Sequence, residues 1–351
     1  MGFDSVVEFR EIGKSNSAAQ RRLTRKKAKL SFAKIAKDQP GSSDIVTNTM
    51  PDRRRKLLYE EAAAYVRNAM NSLRQRKNIN LDKGLEIIQR VVALNHPQDP
   101  LFILALHLDN LEQYVNHHPV NVSIFSIKIA DYLGFEKSKR VEIGMAGLLH
   151  DVGMSIIPEN ILFKKEKLNG SEEKLFMQRP NFSHKILQSL GHKYAYLAEC
   201  AVQVYERIDG TGHPRGLKAD EIHEYAQIIG LLDMYESKIH SRPHREKATP
   251  FAAIKEIINT SKHKFQQKYL KAHLSIFTAF PVHSYVRLNS DAIGKVIETY
   301  PDQPLRPKIQ IIYDSQKRKV LTKKFVSLPE DPLLHIIDSV NENEIQHLAK
   351  A

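Results

Sequence analysis

The chain has 351 residues, 53 Lys and Arg against 40 Asp and Glu, one cysteine, no tryptophan and 42% hydrophobic residues. That length suits two modest domains with appendages, and near-average apolar and charged fractions exclude wholesale disorder. The lone Cys200 excludes an internal disulfide framework and a cysteine-based zinc site, and the formal charge of +13 raises the question of an anionic partner.

Most of that charge sits in one place. Between Arg10 and Lys37 lie ten basic residues and a single acid, Glu11, a net +9. A turn-rich break follows from Gln39 to Pro51, so residues 1–52 read as a basic arm and linker. The arm is either a solvated appendage or a contact for RNA, an anionic membrane or an acidic partner. Only Phe32 interrupts its basic run, so it offers no platform for stacking bases.

Residues 53–100 read as an N-terminal helical region, with Leu57, Leu58, Ala62, Tyr65, Val66 and Met70 at helical steps and Asp82 as the cap of a second helix. From 101 to 279 apolar-periodic segments continue, broken by glycines and by the turn cluster Asp209 to Gly216. Thr249-Pro250 reads as a helix start. After Phe280-Pro281 the period shortens: Ser284–Leu288 and Lys308–Ile312 alternate as half-buried strands do, and Val320 and Phe325-Val326 extend the pattern. The expected fold is mainly α, with a small β subdomain at 280–330 and a tail at 331–351. No stretch has the length of apolar sequence needed to span a bilayer, and the first residues lack a signal-peptide core, so a cytoplasmic location is expected.

Some polar residues fall where the pattern predicts burial. His150 and Asp151 end the apolar run from Ile143, and Asp233 follows Ile228–Leu232. His118 shares a face with Val122, Phe125 and Ile129, whereas His117 faces a mixed surface. Pro119 suits either a helix beginning there or a kink in one running through from Leu111. A buried carboxylate is costly unless it is paired, hydrogen-bonded or bound to a metal. Two imidazoles and two carboxylates on separate helices could meet that need around one divalent cation.

These residues carry a resemblance. Leu148-Leu149-His150-Asp151-Val152-Gly153 resembles the signature of the HD superfamily of metal-dependent phosphohydrolases. Glu206 to Leu217, containing Asp209, Gly210, Thr211, Gly212, His213 and Pro214, resembles the HD-GYP loop, and the segments around Asp233 and Ser241–Arg245 follow at the family's distances. The resemblance implies a helical domain acting on the bacterial messenger cyclic di-GMP, with a multinuclear iron or manganese centre that activates water and screens phosphate charge. It places metal ligands at His118, His150, Asp151 and Asp233, with Asp151 as the catalytic residue if the site is active. It places phosphate-binding residues at Arg242 and Arg245, which lie three apart and so on one face of a continuing helix.

Three expected histidines are replaced by Arg179, Val204 and Tyr205, and the lysine expected after the HD motif by Met154. Arg179 puts a permanent cation where a metal ligand belongs, to pair with Asp151 or a phosphate. The residues left are a one-metal set, for iron or manganese rather than zinc or magnesium, or for no metal at all. The leading expectation is a degenerate HD-GYP protein that binds a nucleotide or a partner domain with little or no hydrolysis. The alternative is an active phosphohydrolase with a reduced, one-metal site.

Overall fold

In a computed structural model, the structure describes residues 53–94, 100–107, 114–242, 245–300, 303 and 305–350. The expected basic arm and linker, residues 1–52, lie outside these. The described chain divides into a helical unit, within 48–248 and 257–276, and a smaller unit formed by 249–256 and 277–351.

The helical unit begins with α1 (Arg53–Arg74) and α2 (Leu81–Ala93). Leu58, Ala62, Tyr65, Val66 and Met70 form the buried stripe of α1, but Leu57 points outward. Asn80, not Asp82, caps α2: its side chain accepts from Lys83 N at 3.1 Å, and Asp82 instead lies in the first turn, where its charge suits the helix dipole. Then come α3 (Pro100–His107) and α4 (Tyr114–Tyr132). Helix α4 is buried almost all round, polar residues included, because α1, α5 (Lys137–Leu149), α10 (Glu224–Ile239) and α12 (Gln267–Ile276) pack about it. Pro119 lies inside this helix rather than at its start. His117, expected on a mixed surface, is buried because α1 covers that side, with Tyr59 edge-on to its ring at 5.6 Å. Helix α5 can approach α4 closely because Gly147 has no side chain; a Cβ there would lie 2.9 Å from Ser123 Cα. Ser123 Oγ fixes the contact by donating to Gly144 O at 2.7 Å.

A 3-10 turn (Val152–Ile156) follows α5, then the short helices α6 (Glu159–Leu162) and α7 (Gly170–Phe176), the latter started by an Asn169/Glu172 capping box. Helices α8 (Arg179–Gln188) and α9 (Ala195–Gln203) pack on each other, α8 also against the 3-10 turn and α9 against α10.

In the smaller unit, α11 (Pro250–Glu256) begins as expected, Thr249 Oγ1 accepting from Ala252 N. Five antiparallel strands follow: β1 (Tyr285–Leu288), β2 (Ile293–Glu298), β3 (Lys308–Tyr313), β4 (Lys319–Ser327) and β5 (Ile336–Val340), ordered β4-β3-β2-β1-β5. Helix α13 (Glu342–Lys350) closes the unit, with Ile345 and Leu348 against Ile293, Tyr313 and Val340. The sheet therefore runs past 330, where the sequence suggested a tail. Ile336–Val340 is too short to announce itself, and it is held as a strand by pairing with β1. Arg306 pins the connecting chain, its Nη2 donating to the carbonyls of Leu328, Asp331 and Leu334 at 2.6, 2.9 and 3.1 Å.

Candidate metal and phosphate site

Helix α4 delivers His118 to a cluster built with the C-terminal end of α5 and with α10. His150 is the last turn of α5, and Asp151 opens the 3-10 turn, so the backbone bend between them sends two adjacent side chains into one buried space. Asp233 lies midway along α10, its Oδ1 3.0 Å from His118 Nε2 and 3.5 Å from His150 Nε2. The four residues expected as metal ligands from separate segments thus come together.

The donor set fits one divalent cation. His118, His150 and Asp151 each offer a ligand atom, all within 4.8 Å of one another. His150 Nδ1 donates to Gly147 O at 2.7 Å, which fixes the tautomer and leaves Nε2 bare. That Nε2 and Asp151 Oδ2 are buried with no hydrogen-bond partner. Two acceptors stranded side by side are costly to bury unless something positive meets them. Imidazole and carboxylate donors suit first-row divalent ions, and such an ion would supply positive charge for a phosphate.

Where the resemblance puts further histidines, the chain builds something else. Arg179, at the start of α8, donates from Nε to Asp151 Oδ1 at 3.3 Å and from Nη2 to the Tyr205 hydroxyl at 2.6 Å. Its guanidinium lies over the Phe176 ring at 4.1 Å and the Tyr205 ring at 4.7 Å. Val204 is fully buried, and Met154 is buried beside the HD turn. Gly153 brings α8 against this turn: a Cβ there would sit 2.2 Å from Arg179 O and 2.7 Å from Ser183 N.

Arg242 is close to the cluster, but not on a helical face. Helix α10 stops at Ile239, and Arg242 and Arg245 instead form a two-residue bridge, each backbone N–H bonded to the other's carbonyl. Arg242 folds inward over the Tyr114 ring at 4.8 Å, with Nη2 2.9 Å from Glu236 Oε2 and 3.0 Å from His118 Nδ1. Arg245 is exposed. The loop residues hold one another: Asp209 Oδ1 accepts from Thr211 N and Oγ1, Gly210 takes φ +78°, and Gly212 passes so close to Arg207 N that a Cβ would lie 2.3 Å away. His213 stacks on Tyr205, centroids 5.2 Å apart, and precedes Pro214.

Two acids had been given no role from the sequence. Glu236, three residues after Asp233 on the buried face of α10, accepts from Asn121 Nδ2 at 2.9 Å and pairs with His118 Nδ1, His240 Nδ1 and Arg242. Its signal was available as a second carboxylate at i+3 in an apolar helix. Glu206 is buried under the loop, accepting from Arg215 N at 2.6 Å and Leu217 N at 3.0 Å.

The electrostatics follow from these pairings. Burial alone would lower the pKa of His118, but Glu236 and then the Asp233 bond outweigh it and the nearby Arg242, holding it at about 9. Burial would raise the carboxyls of Asp233 and Glu236; His118 with His150 for the first, and His118 with His240 and Arg242 for the second, hold both below the usual range. Burial pushes the Tyr205 hydroxyl up despite Arg179, keeping it a neutral acceptor for that cation.

Comparison with known proteins agrees with this geometry. Residues 102–268 match the family model described as HD domain, and residues 285–348 match the one described as KOW domain associated with HD domain. Cyclic di-GMP phosphodiesterase PA4108 of Pseudomonas aeruginosa is 27% identical over 274 residues, covering 78% of this chain and 66% of that protein. Cyclic di-GMP phosphodiesterase PdeB of Borreliella burgdorferi is 29% identical over 200 residues, 57% of this chain and 52% of that one. The chain therefore matches between about half and two thirds of the length of these relatives. Among solved structures, Bd1817, an HDG"Y"P protein from Bdellovibrio bacteriovorus, shares the fold at a TM-score of 0.53 and 16% identity, covering 66% of this chain and 73% of that one. Residues 102–268 are thus similar to the HD domain family, and the curated relatives they resemble are cyclic di-GMP phosphodiesterases. No helix among the described residues is long and apolar enough to cross a membrane.

Proposed function

We propose that the protein binds a cyclic dinucleotide of the cyclic di-GMP kind at this cluster with the help of one divalent cation, and hydrolyses it little or not at all. The observation that carries this reading is the Arg179 guanidinium on Asp151 Oδ1. It supplies fixed charge where the resemblance calls for a metal-ligating histidine, and Val204 and Tyr205 bring no replacement donors for a second ion. The cation is iron or manganese by the mixture of imidazole and carboxylate donors. Arg242 and Arg179 are the groups within reach of a bound phosphate, and Asp151 is the residue on which any chemistry would depend. The loop from Asp209 to Pro214 borders the ligand, since its His213 stacks on Tyr205, the partner of Arg179.

A second reading, a one-metal phosphohydrolase, is favoured by the bare His150 Nε2 and Asp151 Oδ2, which are arranged as ligands. Incubating the full chain with cyclic di-GMP and Mn²⁺ while following binding by calorimetry and product by chromatography separates the two. Binding without product supports the first. Turnover abolished by Asp151→Ala supports the second, and no binding of any cyclic dinucleotide overturns both.

A further inference from the structure

His118 can hold a cation only through a bare Nε2, and the group bonded to Nδ1 decides whether Nε2 is bare. Two groups reach Nδ1: the Glu236 carboxylate, through Oε2, and Arg242 Nη2 at 3.0 Å. A carboxylate only accepts and a guanidinium only donates, so they make opposite demands on the ring. Without a cation each ring nitrogen faces a carboxylate, Nδ1 that of Glu236 and Nε2 that of Asp233. When a cation takes the place of the Nε2 proton, the proton kept on Nδ1 is given to Glu236 and the lone pair is turned toward Asp233 and His150. With Arg242 donating to Nδ1, the proton must sit on Nε2, where it is given to Asp233 Oδ1 at 3.0 Å and closes the position to a cation.

We propose that Glu236 is the positioning residue that settles this contest, keeping the His118 proton on Nδ1 so that Nε2 can take a cation, and occupying the Arg242 donor that also approaches the ring. The inference rests on the one-cation reading above. Glu236 is built for the task. It is buried, and Asn121 Nδ2 anchors Oε1 at 2.9 Å, with Asn121 itself held by the Tyr59 hydroxyl at 2.7 Å. That leaves Oε2 to face His118 and Arg242 together. Because the Arg242 bond to Oε2, at 2.9 Å, satisfies the same Nη2 that approaches the ring, one oxygen both accepts the ring proton and occupies the competing donor. A glutamine cannot do this, since its amide carries no charge to hold the guanidinium and presents its own donors to Nδ1. Glu236 thereby ties the residue expected to hold a metal to the residue expected to hold a phosphate, so filling one position alters the other.

The test is Mn²⁺ affinity of the full chain by calorimetry, with ¹⁵N chemical shifts of the His118 ring in the metal-free chain, recorded at alkaline pH where the ring is neutral, reporting the tautomer. Glu236→Gln is expected to weaken Mn²⁺ binding about 10- to 100-fold, the usual effect of removing a group that orients a metal-bound histidine. It is also expected to move the ring proton from Nδ1 to Nε2, a change that mere loosening of the core does not produce. Arg242→Met removes the competitor, and its Mn²⁺ affinity should be equal or tighter; a tenfold loss overturns the proposal even if Glu236→Gln does not fold. Equal affinity in folded Glu236→Gln and the unaltered chain overturns the proposal alone. Absence of Mn²⁺ binding by the unaltered chain overturns it together with the one-cation reading.

Discussion

Arg179 and Asp151 meet through Nε and Oδ1 at 3.3 Å, so the carboxylate has one oxygen bound to a guanidinium and the other bare. The two oxygens of one residue therefore face different chemistry. Oδ1 is already paired from within the chain, while Oδ2 is buried without a partner in a residue that groups with His150 and His118 as a possible cation holder. A second ion bridged by Asp151 would have to displace the guanidinium, and at a few ångströms like charges repel by several kcal/mol even at moderate dielectric.

Returning donors to the three substituted positions should restore that second ion. The triple variant Arg179→His, Val204→His, Tyr205→His is expected to take up an additional equivalent of Mn²⁺, measured by elemental analysis after gel filtration. The buried Val204 position makes it less stable, by about 2–4 kcal/mol, since a polar ring enters an apolar pocket. Unchanged metal content in a folded triple variant would count against the site's resemblance to a multinuclear centre.

Stability in the presence of a chelator should depend on alkaline pH through His118. Its pKa in the folded chain, about 9, exceeds the ordinary histidine value, so its protonated form stabilises the fold fully below about pH 6.5. That contribution is lost as pH rises toward 9. The melting temperature should fall on the order of 5 °C across the window, and His118→Gln should flatten the slope. Asp233 and Glu236, whose pKa values are depressed, act the opposite way: their contribution is present at neutral pH and disappears in acid.

Gly153→Ala is expected to destabilise the helical unit by about 2–4 kcal/mol, because the new methyl meets backbone atoms of Arg179 and Ser183 that cannot swing aside. The Gly153 N–H bond to Ser183 Oγ, 2.8 Å, would be strained by the same shift. Chemical denaturation of the purified variant reads this directly. A loss under 0.5 kcal/mol, on the scale of ordinary surface changes, would contradict it.

In the smaller unit, Arg306→Ala strips three carbonyls of one shared donor group, at Leu328, Asp331 and Leu334. A loss of about 2–3 kcal/mol is expected for charge-assisted bonds of this kind. Hydrogen exchange should quicken along residues 328–340 while the helices of the other unit keep their protection.

The sequence was informative where the chemistry is carried by adjacent residues and where one period runs for several turns. The HD pair, the apolar run before Asp233 and the stripe of α1 could all be read directly. It was less informative where a residue's role depends on a distant neighbour. His117 reads as surface until α1 covers it, and Arg242 reads as a helical arginine until α10 stops at Ile239 and the side chain folds over Tyr114. Glu236 was visible as an acid on a buried face, but its pairing with His118 spans 118 positions. The last strand was hidden for a similar reason: five residues of β5 gain their conformation from β1, about fifty residues earlier in the chain.

The buried carboxylate of Glu206 receives the backbone of Arg215 and Leu217 from below, so the course of the loop is set by a residue that precedes it. Within that frame the Asp209 bonds to Thr211 and the Gly210 turn shape the crest, while the His213 ring is left to stack on Tyr205. Replacing His213 would change what the loop presents beside Tyr205 without touching the bonds that set its path. Such a frame lets the crest vary while the architecture stays, because the bonds that set the path are made to backbone N–H groups.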